Sequence, residues 1–224
     1  MNSMYFHSNI FKVKMSRVRI YILASLVSTF LFTTVGYAGD SPEEIMRRIG
    51  EGDPAAGKIK SAFCQLCHGE DGNSDSPIYP KLAGQKASYI QRQIKNFKDG
   101  SRKDPVMKEM AETITDEQDL LDISAYFASQ DQMKGNEPVV NEQGRWRFKA
   151  GNGCEVCHGA NGKGTSKNPL APVIGGQHQE YLLKQLRDFR DFFRTNDPSG
   201  MMPLIGEFIP DDGLVDVTTY ESGL

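Results

Sequence analysis

Two copies of Cys-x-x-Cys-His constrain this chain more than any other feature. They are Cys64-Gln65-Leu66-Cys67-His68 and Cys154-Glu155-Val156-Cys157-His158, each followed by glycine and offset by 90 residues. Together they hold all four cysteines of the 224 residues. On a helix, positions three and four apart share a face, so each motif presents two thiols and an imidazole side by side. The thiols can add across the two vinyl groups of a haem as thioethers while the imidazole reaches the iron, and this spacing is the attachment signature for c-type haem. A thioredoxin-like redox pair needs a strand–helix context, and no stretch here has a period of two. A zinc site built from these cysteines would be split between two equivalent positions, incomplete in each. The reading is two covalently bound haems c.

The repeat extends past the motifs. Residues 80–102 match residues 172–194 at an offset of 92, with identities at Pro80/Pro172, Gly84/Gly176, Gln85/Gln177, Tyr89/Tyr181, Gln93/Gln185, Phe97/Phe189, Asp99/Asp191 and Arg102/Arg194. The chain is a duplication, divided here as 39–132 and 133–224. The polar stretch Ser129–Gly144, with Gly135, Asn136 and Pro138, reads as the linker. Helical signals dominate. Asp53-Pro54 opens a helix running toward Phe63, with Pro where its missing N–H costs nothing. Tyr89, Gln93 and Phe97 lie on one face of a helix over 86–99, and 179–193 repeats it. Thr115-Asp116-Glu117-Gln118 starts a last helix in the first half, and Pro210-Asp211-Asp212 starts its counterpart. Each half is expected to be all-α, with short helices joined by glycine-rich loops.

Residues 1–38 read as an export signal: basic Lys12, Lys14, Arg17 and Arg19, an uncharged run from Ile20 to Val35, and Ala38 before a polar stretch. The apolar run is shorter than the ~20 residues of a spanning helix. The full chain carries 26 basic and 29 acidic residues; loss of four basic residues moves the formal charge from −3 to −7. No basic excess points to nucleic acid. Hydrophobic residues are only 38%, so either a cofactor supplies apolar volume or the cores are small.

Methionine is the soft second iron ligand in many electron-carrying c haems. Met107 lies seven before Ile114, and Met202 seven before Ile209, each isoleucine preceding a last helix. Met107 and Met202 are therefore the chosen ligands, with Met110 and Met201 as alternatives. Met133 reads as linker filler. Each histidine needs a partner for its other ring nitrogen, commonly a carbonyl. Pro80 and Pro172, twelve and fourteen residues beyond His68 and His158, are candidates, though spacing alone equally fits turn prolines.

Over residues 45–222 the chain resembles the dihaem cytochrome c4 family, two tandem class I cytochrome c domains. The resemblance rests on Cys64–His68 with Gly69-Glu70-Asp71-Gly72-Asn73, on Pro80–Gln85, on Thr115–Gln130, and in the second half on Cys154–Gly162, Gly175-Gly176-Gln177-His178 and Arg194–Asp197. It implies His68/Met107 and His158/Met202 as iron ligands, with Pro80 and Pro172 carbonyls orienting the histidines. Tyr126 and Tyr220 fall at the aromatic position where the last helix packs on the first. It implies haem propionates near the domain interface, with Arg102 and Arg194 either neutralising them or standing as solvated helix-end residues. It implies a monomeric periplasmic electron shuttle, loosely membrane-associated in some members, between a quinol-oxidising complex or dehydrogenase and a terminal oxidase of a respiratory chain. The competing readings are the haem subunit of a flavocytochrome c sulfide dehydrogenase-type complex and a haem enzyme with one open iron. The second half departs from the pattern: its last helix is expected to be short, ending soon after Tyr220, and His178 is expected at the surface.

Overall fold

The computed structural model describes residues 52–135, 140–166 and 168–224. The expected signal segment 1–38, and Asn136 and Pro138 of the expected linker, lie outside these residues. Among the described residues the fold is helical, with one isolated β-bridge between Thr165 and Asn168. No helix among them is long and apolar enough to cross a membrane.

The first half opens with α1 (Pro54–Lys60) and α2 (Ala62–His68). Asp53 caps α1 by accepting from the Ala55 N–H, and Pro54 sits in the first turn. The single helix expected from Pro54 toward Phe63 is interrupted at Ser61. This residue is fully buried, and its hydroxyl bonds back to the Lys58 carbonyl. The interruption puts the whole first motif on α2. Then follow α3 (Ala87–Asp99), α4 (Pro105–Glu112) and α5 (Glu117–Ser129). Gly100 ends α3 in the left-handed region. Asp104 caps α4 through the Met107 N–H, and Asp116 caps α5 through the Gln118 N–H.

The second half repeats the order. Helix α6 (Glu142–Trp146) runs into a π-helical turn (Arg147–Gly151), then α7 (Cys154–His158), α8 (Gln179–Arg190), α9 (Met201–Glu207) and α10 (Asp211–Ser222). The last helix is not short: α10 has 12 residues against 13 in α5. It reaches Ser222 because Leu214 and Val217 are fully buried and hold it to the core.

In each half the first helix crosses the last at a glycine. A Cβ on Gly57 would stand 2.0 Å from the Asp122 carbonyl oxygen and 2.8 Å from the Tyr126 Cβ. A Cβ on Gly144 would stand 2.2 Å from the Asp216 carbonyl oxygen and 2.8 Å from the Tyr220 Cβ. The glycines let two backbones touch, and the tyrosines Tyr126 and Tyr220 fill the crossing. Around the first crossing Ile90, Ile94, Phe97, Leu120, Ile123 and Phe127 form the buried cluster. Each large side chain so buried contributes about 1.5–3 kcal/mol.

The described start of the expected linker, up to Gly135, packs against both halves at Met133. Met133 is fully buried, its N–H donates to the Ala83 carbonyl, and its own carbonyl accepts from Lys163 Nζ at 2.7 Å. Met133 thus belongs to both halves.

Candidate haem sites

Helix α2 carries Cys64, Cys67 and His68; α7 consists of the second motif and nothing else. Both helices stop at a glycine with positive φ, Gly69 (87°) and Gly159 (83°). A Cβ at either would fall within 2.7 Å of a carbonyl oxygen across the turn. The chain turns sharply there and returns along the ring of each histidine.

That return brings His68 and Pro80 together. The His68 Nδ1 lies 2.8 Å from the Pro80 carbonyl, and the His158 Nδ1 lies 2.9 Å from the Pro172 carbonyl. A carbonyl only accepts, so Nδ1 carries the proton and Nε2 keeps its lone pair. Burial holds both imidazoles below their ordinary pKa. A neutral, fixed imidazole with a free Nε2 is what an iron ligand must be. The four cysteines are half-buried and form no disulfide. Burial raises the thiols of Cys64 and Cys154.

The four methionines separate by exposure. Met107 and Met202 are half-buried, whereas Met110 and Met201 are 40% and 48% exposed. Met107 packs against the first core together with Cys64 and Leu82. The Met107 N–H donates to Asp104, and the Met202 N–H to Asp197, each at 2.9 Å. The turns that follow are in register. Ile114 N–H bonds to Ala111 and Ile209 N–H to Gly206, while Thr113 bonds to Met110 and Phe208 to Ile205. This register pairs Met107 with Met202. It pairs Met110 with Ile205, and Met201 with Val106.

Arg102 and Arg194 are not solvated helix ends. They cross between the halves. Arg102 donates to Gln93 of its own half and to Tyr181 and Gln185 of the other. Arg194 donates to Gln185 of its own half and to Tyr89 and Gln93 of the other. Each guanidinium also lies over a phenylalanine, Phe97 at 4.7 Å and Phe189 at 4.4 Å. Burial alone would raise the Tyr89 phenol, but Arg194, Arg102 and Arg92 together hold it below its ordinary value. Among the described residues neither Arg102 nor Arg194 pairs with a carboxylate. A half-buried and a buried guanidinium, neither ion-paired, fit a ligand that brings its own carboxylates, as haem does.

His178 is also at this interface, not at the surface. It is 8% exposed and its Nε2 lies 2.9 Å from the Ser74 carbonyl and 3.0 Å from the Ser74 hydroxyl. Gln177 bonds both the N–H and the carbonyl of Lys81, and Gln85 does the same for Val173 through the carbonyl and N–H. These glutamines were visible as identities in the repeat and within the segments that carry the resemblance. Their persistence at polar, buried positions was the available signal, since a buried amide must find partners.

Two helical halves, each with Cys-x-x-Cys-His on one helix and its imidazole locked by a proline carbonyl, define a dihaem c-type cytochrome. The cytochrome c family model matches residues 55–131. The cytochrome c4 of Pseudomonas aeruginosa is 37% identical over 211 residues, covering 91% of this chain and 98% of that protein. That of Azotobacter vinelandii is 39% identical, covering 77% and 90%. The crystal structure of reduced recombinant cytochrome c4 from Pseudomonas stutzeri superposes with a TM-score of 0.70 at 37% identity, over 77% of this chain and 99% of that one. The chain belongs to the cytochrome c4 family. It is an electron carrier with two covalently bound haems c.

Proposed function

We propose that this cytochrome shuttles single electrons in the periplasm, from a quinol-oxidising complex or a dehydrogenase to a terminal oxidase. In this reading residues 1–38 are the export signal and 39–132 and 133–224 the two domains. His68 and Met107 ligate one iron, His158 and Met202 the other. The observation that carries the ligand assignment is the shared register of Met107 and Met202, which leaves Met110 and Met201 facing non-sulfur counterparts.

Bound haem supplies a one-electron iron couple. The chain supplies the rest. Cys64, Cys67, Cys154 and Cys157 fix the macrocycle. Pro80 and Pro172 hold the imidazoles in one tautomer through Nδ1. Met107 and Met202 as second ligands would raise the potential relative to a second histidine. Arg102 and Arg194 hold positive charge where the two halves meet, and positive charge near a haem would favour its reduced state.

The test is the far-red absorption of Met-bound ferric haem. Met107→Ala and Met202→Ala should each remove about half of that band and open one iron to carbon monoxide. Met110→Ala and Met201→Ala should leave it intact. Loss of the band in either of the latter, or carbon monoxide binding by the unmodified protein at neutral pH, overturns the assignment. The second result would turn attention to haem catalysis.

A further inference from the structure

The last helices of the two halves differ in charge at one position that is buried in both. Gly84 N–H donates to the Phe127 carbonyl and Gly176 N–H to the Glu221 carbonyl, both at 2.9 Å. Gly84 and Gly176 are a repeat pair, so Phe127 and Glu221 occupy the same place. Phe127 is 1% exposed, in the cluster that packs Cys64, Leu82 and Met107. Glu221 is 3% exposed and takes that place in the second half. The Cys154 thiol is pushed up by burial first and by the charge of Glu221 next. By its equivalence with Phe127, whose cluster packs against Cys64, the buried Glu221 falls at the corresponding place by the second attachment motif.

The Glu221 carboxyl lacks a cationic partner: among the described residues it has no ion pair and accepts no hydrogen bond. The charges on the elements packed against α10 are engaged elsewhere. From α6, Arg145 pairs with Glu142; from the π-helical turn, Arg147 faces Asp216, and Lys149 is exposed. From α8, Lys184 pairs with Asp188, Arg190 with Asp191 and Asp211, and Glu180 acts on His178. Arg187 is exposed and acts on Asp211; on α7, Glu155 is half-buried. Lys163 spends its three donors on the carbonyls of Met133, Gly175 and Leu224. Burial alone pushes Glu221 up to about 8.

We propose that Glu221 is a redox-linked proton site of the C-terminal haem, with no counterpart in the N-terminal half. At pH values where the carboxyl is ionised, delivery of an electron to that site by the one-electron donor draws a proton from solvent onto the carboxylate. When the electron leaves for the acceptor, the carboxyl returns the proton. Negative charge beside the macrocycle favours the oxidised state, so the protonated form gives the higher potential. The physical cause is that an electron and an uncompensated carboxylate repel each other in a poorly solvated site.

The experiment is a redox titration of the holoprotein from about pH 6 to pH 10, in the unmodified chain and in Glu221→Gln and Glu221→Phe. One of the two one-electron steps should fall as pH rises through the region around 8, and the other should not. A tenfold difference in proton affinity between redox states corresponds to about 59 mV for a one-electron couple. Both variants should hold that step pH-independent at its high value; Glu221→Phe restores the residue of the first half and guards against misfolding. Infrared redox-difference spectra should show a protonated-carboxyl band gained on reduction and absent in Glu221→Gln. A step without pH dependence in the unmodified chain, or a dependence that survives Glu221→Gln, overturns the proposal.

Discussion

The two halves are built on one plan and finished differently, and the contrast is sharpest where the first helix meets the last. In the first half Asp122 is 2% exposed and accepts from the Asp53 N–H, from Gln118 and from Lys60. Its counterpart Asp216 is half-buried, with Asn141 at 3.3 Å and Arg147 at 3.9 Å. The Tyr126 hydroxyl donates to the Glu70 carbonyl; the Tyr220 hydroxyl has no such bond among the described residues. The first half also keeps Phe127 where the second buries Glu221. Duplication preserved the crossing glycines and the histidine–proline bonds, because backbone contact and haem attachment allow few solutions. It left the periphery of each crossing free to drift, and the second half drifted toward looser polar contacts and a buried acid.

Exchanging the divergent pair tests this contrast most strongly. Phe127→Glu should destabilise the first half by about 3 kcal/mol or more, since it buries an unpaired carboxyl in an apolar cluster. Glu221→Phe should act in the opposite sense. The folded-state value of Glu221 lies above its ordinary one, so the folded chain holds the extra proton between about 4.5 and 8. Stability from this group is complete below that window and lost as pH rises through it. Glu221→Phe should remove this slope, with a gain on the order of 2–4 kcal/mol above pH 8. Urea unfolding at several pH values measures both.

Next in size is the glycine crossing. Gly57→Ala and Gly144→Ala should each cost about 1–3 kcal/mol, the former more, because its last helix is tied down by three bonds to Asp122 and has less room to retreat. Equal costs would show that the looser contacts of the second half confer no freedom. Asp122→Asn should cost about 1–3 kcal/mol and Asp216→Asn much less. Burial would raise Asp122, but Lys60, Asp53 and Gln118 hold it below the usual carboxylate range. Its contribution is therefore present above about pH 4 and is lost as pH falls through the folded value, so the difference between the two variants should vanish in acid.

Smaller still, Tyr126→Phe should cost about 1 kcal/mol and Tyr220→Phe close to nothing. At the bottom of the scale, Lys95→Ala and Lys184→Ala remove one exposed ion pair from each half, Lys95–Glu117 and Lys184–Asp188. Each should change stability by less than about 0.5 kcal/mol. Thermal melts of the holoprotein measure both, and a larger change in either would show that surface pairs separate the two halves as much as their buried contacts do.

Covalent chemistry and short-range periodicity were legible in the sequence. Cys-x-x-Cys-His names its ligand group because two thiols and an imidazole at those spacings have few other uses, and the repeat names the duplication. The helices over 87–99, 117–129 and 179–190 were visible because their apolar faces and caps are local properties. The break at Ser61 was not, since it depends on a hydroxyl turning back to its own helix once buried. Nor were α4 and α9, whose helical turns are fixed by Asp104 and Asp197 bonding to Met107 and Met202. What only the tertiary structure decided are matters between distant residues. Arg102 and Arg194 read as helix ends until the halves close and each reaches the other's tyrosine and glutamine. His178 reads as a surface residue until Ser74, 104 positions earlier, covers it. Glu221 reads as the polar tail of a final helix until its equivalence with Phe127 places it inside. In each case the residue is ordinary locally, and its character comes from desolvation and from partners that only the folded chain brings within reach.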